Sequence, residues 1–141
     1  MNRLAVATWM RLARVFLKVE RAGTEQLRRW DLSMAQFDVL AQVGAAEGMT
    51  QQELADVLLV TKGNVCQLLD RMERSALLRR SQEGRVNRLY LTEAGRRLFN
   101  EVVPAHEALL AAQLGTLSLA EQRQLLDLLR RVDRALEPAS S

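Results

Sequence analysis

Asn64 and Gln67 are the side chains in this sequence best equipped to read a base pair. A carboxamide offers a donor and an acceptor side by side and can bond adenine bidentately in the major groove. The two stand three residues apart in TKGNVCQLLDRMER, residues 61–74. In that run Val65, Leu68, Leu69 and Met72 recur at i, i+3, i+4 and i+7, the period of a helix with one buried face. The same phase turns Gly63, Gln67, Asp70 and Arg74 outward, with Asn64, Cys66 and Arg71 flanking them. Thr61 can cap this helix and bond a base or a phosphate, Lys62 brings a charge, and Gly63 allows close approach. The unsatisfied backbone N–H groups of such a helix start favour phosphate.

A basic hairpin follows. Leu77–Ser81 and Asn87–Leu91 read as strands around a turn at Gln82–Val86, where Gly84 can take a positive φ. Arg85 and Arg88 sit at or beside the tip, and a guanidinium on a thin hairpin can enter the narrow minor groove of A·T-rich DNA. Arg79, Arg80 and Arg88 can also serve phosphates, contacts that position without specifying sequence. Arg71 has a competing use in a surface ion pair with Asp70 or Glu73. Ahead of the helix, Thr50 and Glu53 form a capping box that starts a short helix through about Val57. Its first turn offers Gln51 and Gln52 to a nucleic-acid backbone, and Leu58, Leu59 and Val60 make an apolar turn. A helix carried on a second helix, with a basic hairpin beside it, is a winged helix-turn-helix.

The flanks must hold this device. Leu12, Phe16, Val19 and Leu27, with Trp9 and Met10, predict one long amphipathic helix from Leu4 to about Trp30, weakened locally by Gly23. Ser33 and Gln36 open a second helix whose stripe is Met34, Phe37, Leu40 and Val43, and Gly44–Met49 reads as a loop. Thr92 caps a fifth helix through Leu98 and Val102, which Pro104 is expected to kink or end. Ser118 and Glu121 open a last helix carrying Leu125, Leu128, Leu129, Val132 and Leu136. The fold class is mainly α with a small two-stranded β wing. A single domain is expected: dimerisation helices at about 1–30 and 98–137, a DNA-binding lobe at about 33–97, and a tail at 138–141. The terminal helices carry more apolar surface than the small lobe can cover, which predicts a two-fold homodimer.

Composition narrows the function classes. The net charge of +3 is concentrated: residues 61–97 hold 9 basic and 4 acidic side chains, net +5, the footprint of a polyanion partner. No apolar run reaches 18 residues, and Arg11 and Arg14 interrupt the N-terminal run too early for a signal peptide, so a cytoplasmic protein is expected. One cysteine, Cys66, excludes an internal disulfide and fits a reducing compartment. The single His106 forms no metal-ligand spacing with it and no Ser–His–acid set can be built, so neither a metal, a cofactor nor an enzyme is expected. Two alternatives remain. A winged helix reused as a protein adaptor would carry an apolar patch on the fourth helix, and a redox-responsive regulator would use an oxidisable Cys66.

TQQELADVL, VTKGNVCQLLDRMERSALLRR and LYLTEAGRRL, in this order and spacing, resemble the MarR family of bacterial transcriptional regulators, and the likeness runs over nearly the whole chain. The resemblance implies a triangular homodimer joined through its terminal helices and bound to a pseudo-palindromic operator. Such a protein is mostly a repressor released by a small phenolic or lipophilic ligand. By match of motif, Thr61–Gln67 fall on the family's recognition-helix contacts and Arg85 on its wing-tip arginine. The wing departs from the pattern, with Glu83-Gly84-Arg85 where Asp-Arg-Arg is common. The redox branch of the family uses a cysteine in the first helix, which has none here. The family's ligand crevice lies between the first two helices, the fifth helix and the DNA-binding lobe, which makes Trp9, Met10, Arg14 and Phe37 the ligand candidates.

Overall fold

The computed structural model describes residues 2–58 and 62–138, with only the backbone of Lys62 and Gly63. Its elements are α1 (Arg3–Leu27), a 3₁₀ turn (Arg28–Trp30), α2 (Met34–Ala45), α3 (Gln51–Val57), α4 (Lys62–Arg74), β1 (Leu78–Glu83), β2 (Val86–Leu91), α5 (Glu93–Gln113) and α6 (Leu119–Leu136). The chain divides into two compact units, one up to Glu107 and one from Ala108.

The helix starts follow local chemistry. Ser33, Thr50 and Ser118 each accept the N–H three residues on, while Gln36, Glu53 and Glu121 bond back to the cap's own N–H, three complete capping boxes. Thr92 accepts the Gly95 N–H at 3.0 Å in the same manner and donates its hydroxyl to the Ala76 carbonyl at 2.5 Å. Asn2 caps α1 through its side-chain oxygen. α1 stops three residues earlier than the sequence predicts: Arg28–Trp30 tighten into a 3₁₀ turn, and Asp31 takes a left-handed conformation that redirects the chain into α2. Gly44 lies within α2 rather than in a loop, because its missing side chain admits the Phe99 ring; a Cβ there would come within 2.3 Å of it. α5 runs through Pro104 to Gln113 instead of ending there, since proline removes only one N–H from the ladder and the turns on either side continue.

The first unit holds one core. Phe37, Val39, Leu40 and Val43 of α2 pack with Leu54 of α3, Val65, Leu68, Leu69 and Met72 of α4, Leu78, Leu89 and Leu91 of the strands and Val102 of α5. The inward phase read for α4 therefore holds at all four positions. No charged or polar residue is buried among the described residues. α1 contributes only Gly23 and Leu27 to buried positions, and Leu4, Val6, Trp9, Phe16 and Leu17 along it are each at least half exposed. In the second unit every residue of α6 is at least partly exposed, Leu125, Leu126, Leu128, Leu129 and Val132 included. There the Gln122 amide closes the turn before α6 by donating to the Leu114 and Leu117 carbonyls, both at 3.1 Å.

β1 and β2 pair antiparallel with Leu78 opposite Leu91 and Glu83 opposite Val86. The strands are longer than the sequence indicates, and the turn shrinks to Gly84 and Arg85. Gly84 at φ +64° occupies the first central position, where a type II′ hairpin demands glycine. Residues 48–50 run along the other edge of β2: the Gly48 N–H reaches the Leu89 carbonyl at 2.8 Å, the Leu89 N–H reaches Met49 at 2.9 Å, and Thr50 bridges Arg88. This ties the wing to the start of α3.

Candidate nucleic-acid interface

Three elements meet at one exposed recess of about 320 Å³. The α3 start supplies Thr50, Gln51, Gln52 and Ala55, α4 supplies Val65 and Cys66, and the wing supplies Arg85, Val86 and Asn87. Gln51, Gln52, Cys66 and Arg85, expected from sequence at the DNA-binding face, are thus brought together. Val86 and Asn87 were not among them; a two-residue turn at Gly84-Arg85 would have pointed to both. Asn64, Gln67, Arg71 and Arg74 are exposed along α4. Thr61, like Leu59 and Val60 of the expected apolar turn, lies outside the described residues, and Lys62 and Gly63 are described only as the first two residues of α4.

Internal bonds arrange the polar residues of this face. The Gln51 amide donates to Cys66 Sγ at 3.2 Å and spans α3 to α4, while its Oε1 is buried without a partner among the described residues. The Gln52 amide donates to Asp56 at 3.2 Å, one turn on. Arg74 Nε lies 3.4 Å from the Asp70 carbonyl of its own helix.

The hairpin cations divide into two sets. Arg85 is exposed at the tip and makes no ion pair among the described residues. Arg79 is exposed and stacks its guanidinium 4.5 Å from the Tyr90 ring centre. Arg88 is turned inward: Nη1 donates to the Gly48 carbonyl at 2.8 Å, and Nε meets the Glu83 carboxylate at 2.6 Å. Arg80 is more deeply engaged, with Nε donating to Glu73 at 2.6 Å and Nη2 bonded to both Asp70 and Glu73. Burial works against its charge, but the bonds to the two carboxylates outweigh that, and its pKa is raised above the ordinary arginine value. The partner that sequence offered to Arg71 is therefore taken by Arg80.

The base of the wing is anchored by residues that sequence reading passed over. Glu47 accepts the Leu91 N–H at 2.9 Å and pairs with Arg96 at 3.4 Å. Arg96 in turn donates to the Gly44 carbonyl at 3.1 Å and lies over the Phe99 ring, so α2, β2 and α5 share one polar joint. Their separation along the chain, 44 and 49 residues, hides the joint from any local pattern.

The four ligand candidates are not gathered. Trp9, Met10 and Arg14 are exposed on α1, whereas Phe37 is in the core with its ring centre 4.5 Å from that of His106. On the same wall the Gln26 amide donates to the Ala105 carbonyl at 3.0 Å, and both Gln26 Oε1 and His106 Nδ1 are buried without partners among the described residues. Desolvation holds the His106 imidazole below its ordinary pKa, against a smaller opposing pull from Glu107. Among the described residues no cluster of three His, Cys, Asp or Glu could hold a metal, and no helix is long and apolar enough to cross a membrane.

Comparison with known proteins agrees with this geometry. The sequence pattern of the MarR family matches residues 30–88. An uncharacterised HTH-type transcriptional regulator of Bacillus cereus is 31% identical over 137 residues, covering 96% of this chain and 93% of the relative. Among solved structures, the MarR family regulator AbsC of Streptomyces coelicolor superposes with a TM-score of 0.87 at 22% identity, over 96% of each chain. A mutant MarR of Escherichia coli, complexed with operator DNA, superposes at 0.82 with 25% identity, over 94% of this chain and 97% of the other.

Proposed function

The chain belongs to the MarR family of transcriptional regulators, with its DNA-binding fold, and from that premise we propose that it is a homodimeric, sequence-specific repressor released by a small aromatic or lipophilic ligand. The observation that carries the DNA reading is the convergence of the α3 start, α4 and the wing tip on one exposed recess. Asn64 and Gln67 read base edges in the major groove, Thr61, Lys62 and Gly63 seat the helix start on a phosphate, and Gln51 and Gln52 bond the backbone. Arg71 and Arg74 add phosphate contacts, Arg85 enters the minor groove, and Cys66 is a small residue tolerated beside the groove. Arg88 acts from behind, holding residues 48–50 to the wing. Along α4 the exposed residues Asn64, Gln67, Asp70, Arg71 and Arg74 are polar, which runs against an adaptor that would present an apolar patch on that helix.

The homodimer rests on the unpartnered apolar faces of α1 and α6. Each large side chain fully buried there contributes roughly 1.5–3 kcal/mol, so a handful of them offsets the cost of association. In this plan about 1–30 and 98–137 form the dimerisation helices and about 33–97 the DNA-binding lobe, within one cytoplasmic regulator that performs no catalysis; of the tail expected at 138–141, residues 139–141 lie outside the described residues. The effector site falls on the walls of α1, α2 and α5 at Phe37, while Trp9, Met10 and Arg14, the other candidates, lie exposed along α1 and are not gathered with it in the single chain. The buried, unpartnered Gln26 Oε1 and His106 Nδ1 supply polar anchors there.

Selection of bound duplexes from a random pool tests the reading. A pseudo-palindrome with half-sites about one helical turn apart is expected. Failure to enrich any duplex, or binding to DNA by a species that sediments as a monomer, overturns it. Salicylate-like acids should quench tryptophan fluorescence and lower affinity for the selected duplex; no saturable change removes the effector site.

A further inference from the structure

Asp70 is an awkward residue for a DNA reader. It lies on the outward side of α4, one turn beyond Gln67, and its side chain is half exposed. Glu73, a third exposed, stands three residues on. Two carboxylates on the helix that enters the groove would repel the phosphates on either side of it. Arg80, from the neighbouring strand β1, lies across both. Its Nε and Nη2 fork onto Glu73 and Asp70, and its side chain is only about one-fifth exposed. A guanidinium has the planar, multiple-donor shape for spanning two carboxylates, which an ammonium lacks. The remaining hairpin cations hold other positions: Arg79 lies over Tyr90, Arg88 is bound to Glu83 and Gly48, and Arg85 is out at the tip.

We propose that Arg80 is a positioning residue of the DNA reader, which clamps α4 to the wing and neutralises Asp70 and Glu73 so that the recognition helix can approach the duplex. It touches no phosphate itself. Its contribution to affinity passes through the two carboxylates, and it rests on the assignment of α4 as the recognition helix. The triad joins residues 70 and 73 to residue 80, so it also fixes the angle at which the hairpin leaves the helix.

A double-mutant cycle on the full-length protein separates this role from a direct phosphate contact. The probe is the duplex most enriched from a random pool by the wild-type protein, with affinity read by fluorescence anisotropy. Four proteins are compared: wild type, Arg80→Gln, the Asp70→Asn/Glu73→Gln pair, and the combination of all three. Arg80→Gln is expected to weaken binding at least tenfold in the wild-type background, because it leaves both carboxylates uncompensated. In the background lacking the carboxylates, the same change should cost less than about twofold. A phosphate contact would instead cost the same in both backgrounds, and that result overturns the proposal while leaving DNA reading intact. Arg80→Lys keeps the charge but not the fork, and should fall between wild type and Arg80→Gln; equality with Arg80→Gln would also overturn the masking role. Far-ultraviolet circular dichroism confirms that each variant is folded, and a variant that unfolds is replaced in the cycle by Arg80→Met. If the wild-type protein enriches no duplex, the proposal falls together with the reading beneath it.

Discussion

Gly95 is where one methyl group should do the most damage, and in the direction opposite to intrinsic helix preference. It lies in the first turn of α5, and a Cβ built on it would come within 2.0 Å of the Leu77 carbonyl oxygen and 3.0 Å of the carbonyl carbon. Both are backbone atoms at the entrance to the wing, so no side chain can swing aside. To restore an ordinary contact of about 3.4 Å, α5 has to withdraw from Leu77. That withdrawal strains the Thr92 N–H bond to the Leu77 carbonyl at 3.2 Å and the Thr92 hydroxyl bond to Ala76 at 2.5 Å. Alanine is favoured over glycine in a helix by up to about 1 kcal/mol. Against this stand roughly 1–3 kcal/mol for overpacking and about 1 kcal/mol for a weakened hydrogen bond. Gly95→Ala should therefore destabilise the protein by about 1–3 kcal/mol. Urea unfolding at one fixed protein concentration measures this, fixed because a dimer's stability depends on concentration. Gly23→Ala is the internal comparison: the nearest atoms to its Cβ are side-chain ones, the Met34 sulfur at 3.2 Å and the His106 ring at 3.4 Å, and the flexible methionine can yield. It should change stability by less than about 0.5 kcal/mol. If Gly95→Ala is as stable as wild type or more so, the close packing of α5 on the wing base is wrong.

The remaining predictions concern pH, the turn and the DNA face. Because burial lowers the His106 pKa, the unfolded chain binds the proton more readily; this contribution to stability is complete above the ordinary value of 6.5 and is lost as pH falls through it toward the lower folded value. His106→Phe should flatten that part of the stability–pH curve, and an unchanged acid slope would count against it. Gly84→Ala has open space for its Cβ but must hold φ +64°, so it should cost about 1–2 kcal/mol in thermal unfolding with no change in packing; a neutral result would mean a different turn. Asn64→Ala should relax base preference at one position by about 1–3 kcal/mol, measured as the affinity ratio between matched and mismatched duplexes. Arg85→Ala should weaken binding to duplexes generally, and most to those with A·T-rich flanks. Wild-type affinity in both variants would take the DNA face elsewhere.

What was legible in the sequence was local. The three capping boxes are reciprocal bonds across three residues, and the phase of Val65, Leu68, Leu69 and Met72 is set by one helix period, so both follow from short spacings. The grouping of Gln51, Gln52, Cys66 and Arg85 followed from recognising the motif that joins their elements. What stayed hidden depends on partners distant in the chain. A run of arginines shows charge but not its use, so Arg80 and Arg88 read as phosphate ligands until Asp70, Glu73, Glu83 and Gly48 are found beside them. Gly44 read as a loop glycine because Phe99, the ring it admits, is 55 residues away. The amphipathic period of α1 marked an apolar face correctly, yet nothing in that period tells whether the cover is the same chain or a second copy.

The central claim, that the α4–wing face is read out against a polyanion, is tested most directly by titrating salt against affinity for the selected duplex. Each phosphate neutralised contributes about −0.9 to the slope of log K against log salt. Arg71 and Arg74 alone, on each arm of the proposed dimer, give a slope of about −3.6, which Arg85 makes steeper. A slope that steep, made shallower by Arg85→Ala, is the predicted result. A slope near zero would contradict the claim, because the cations of this face would then neutralise no phosphates.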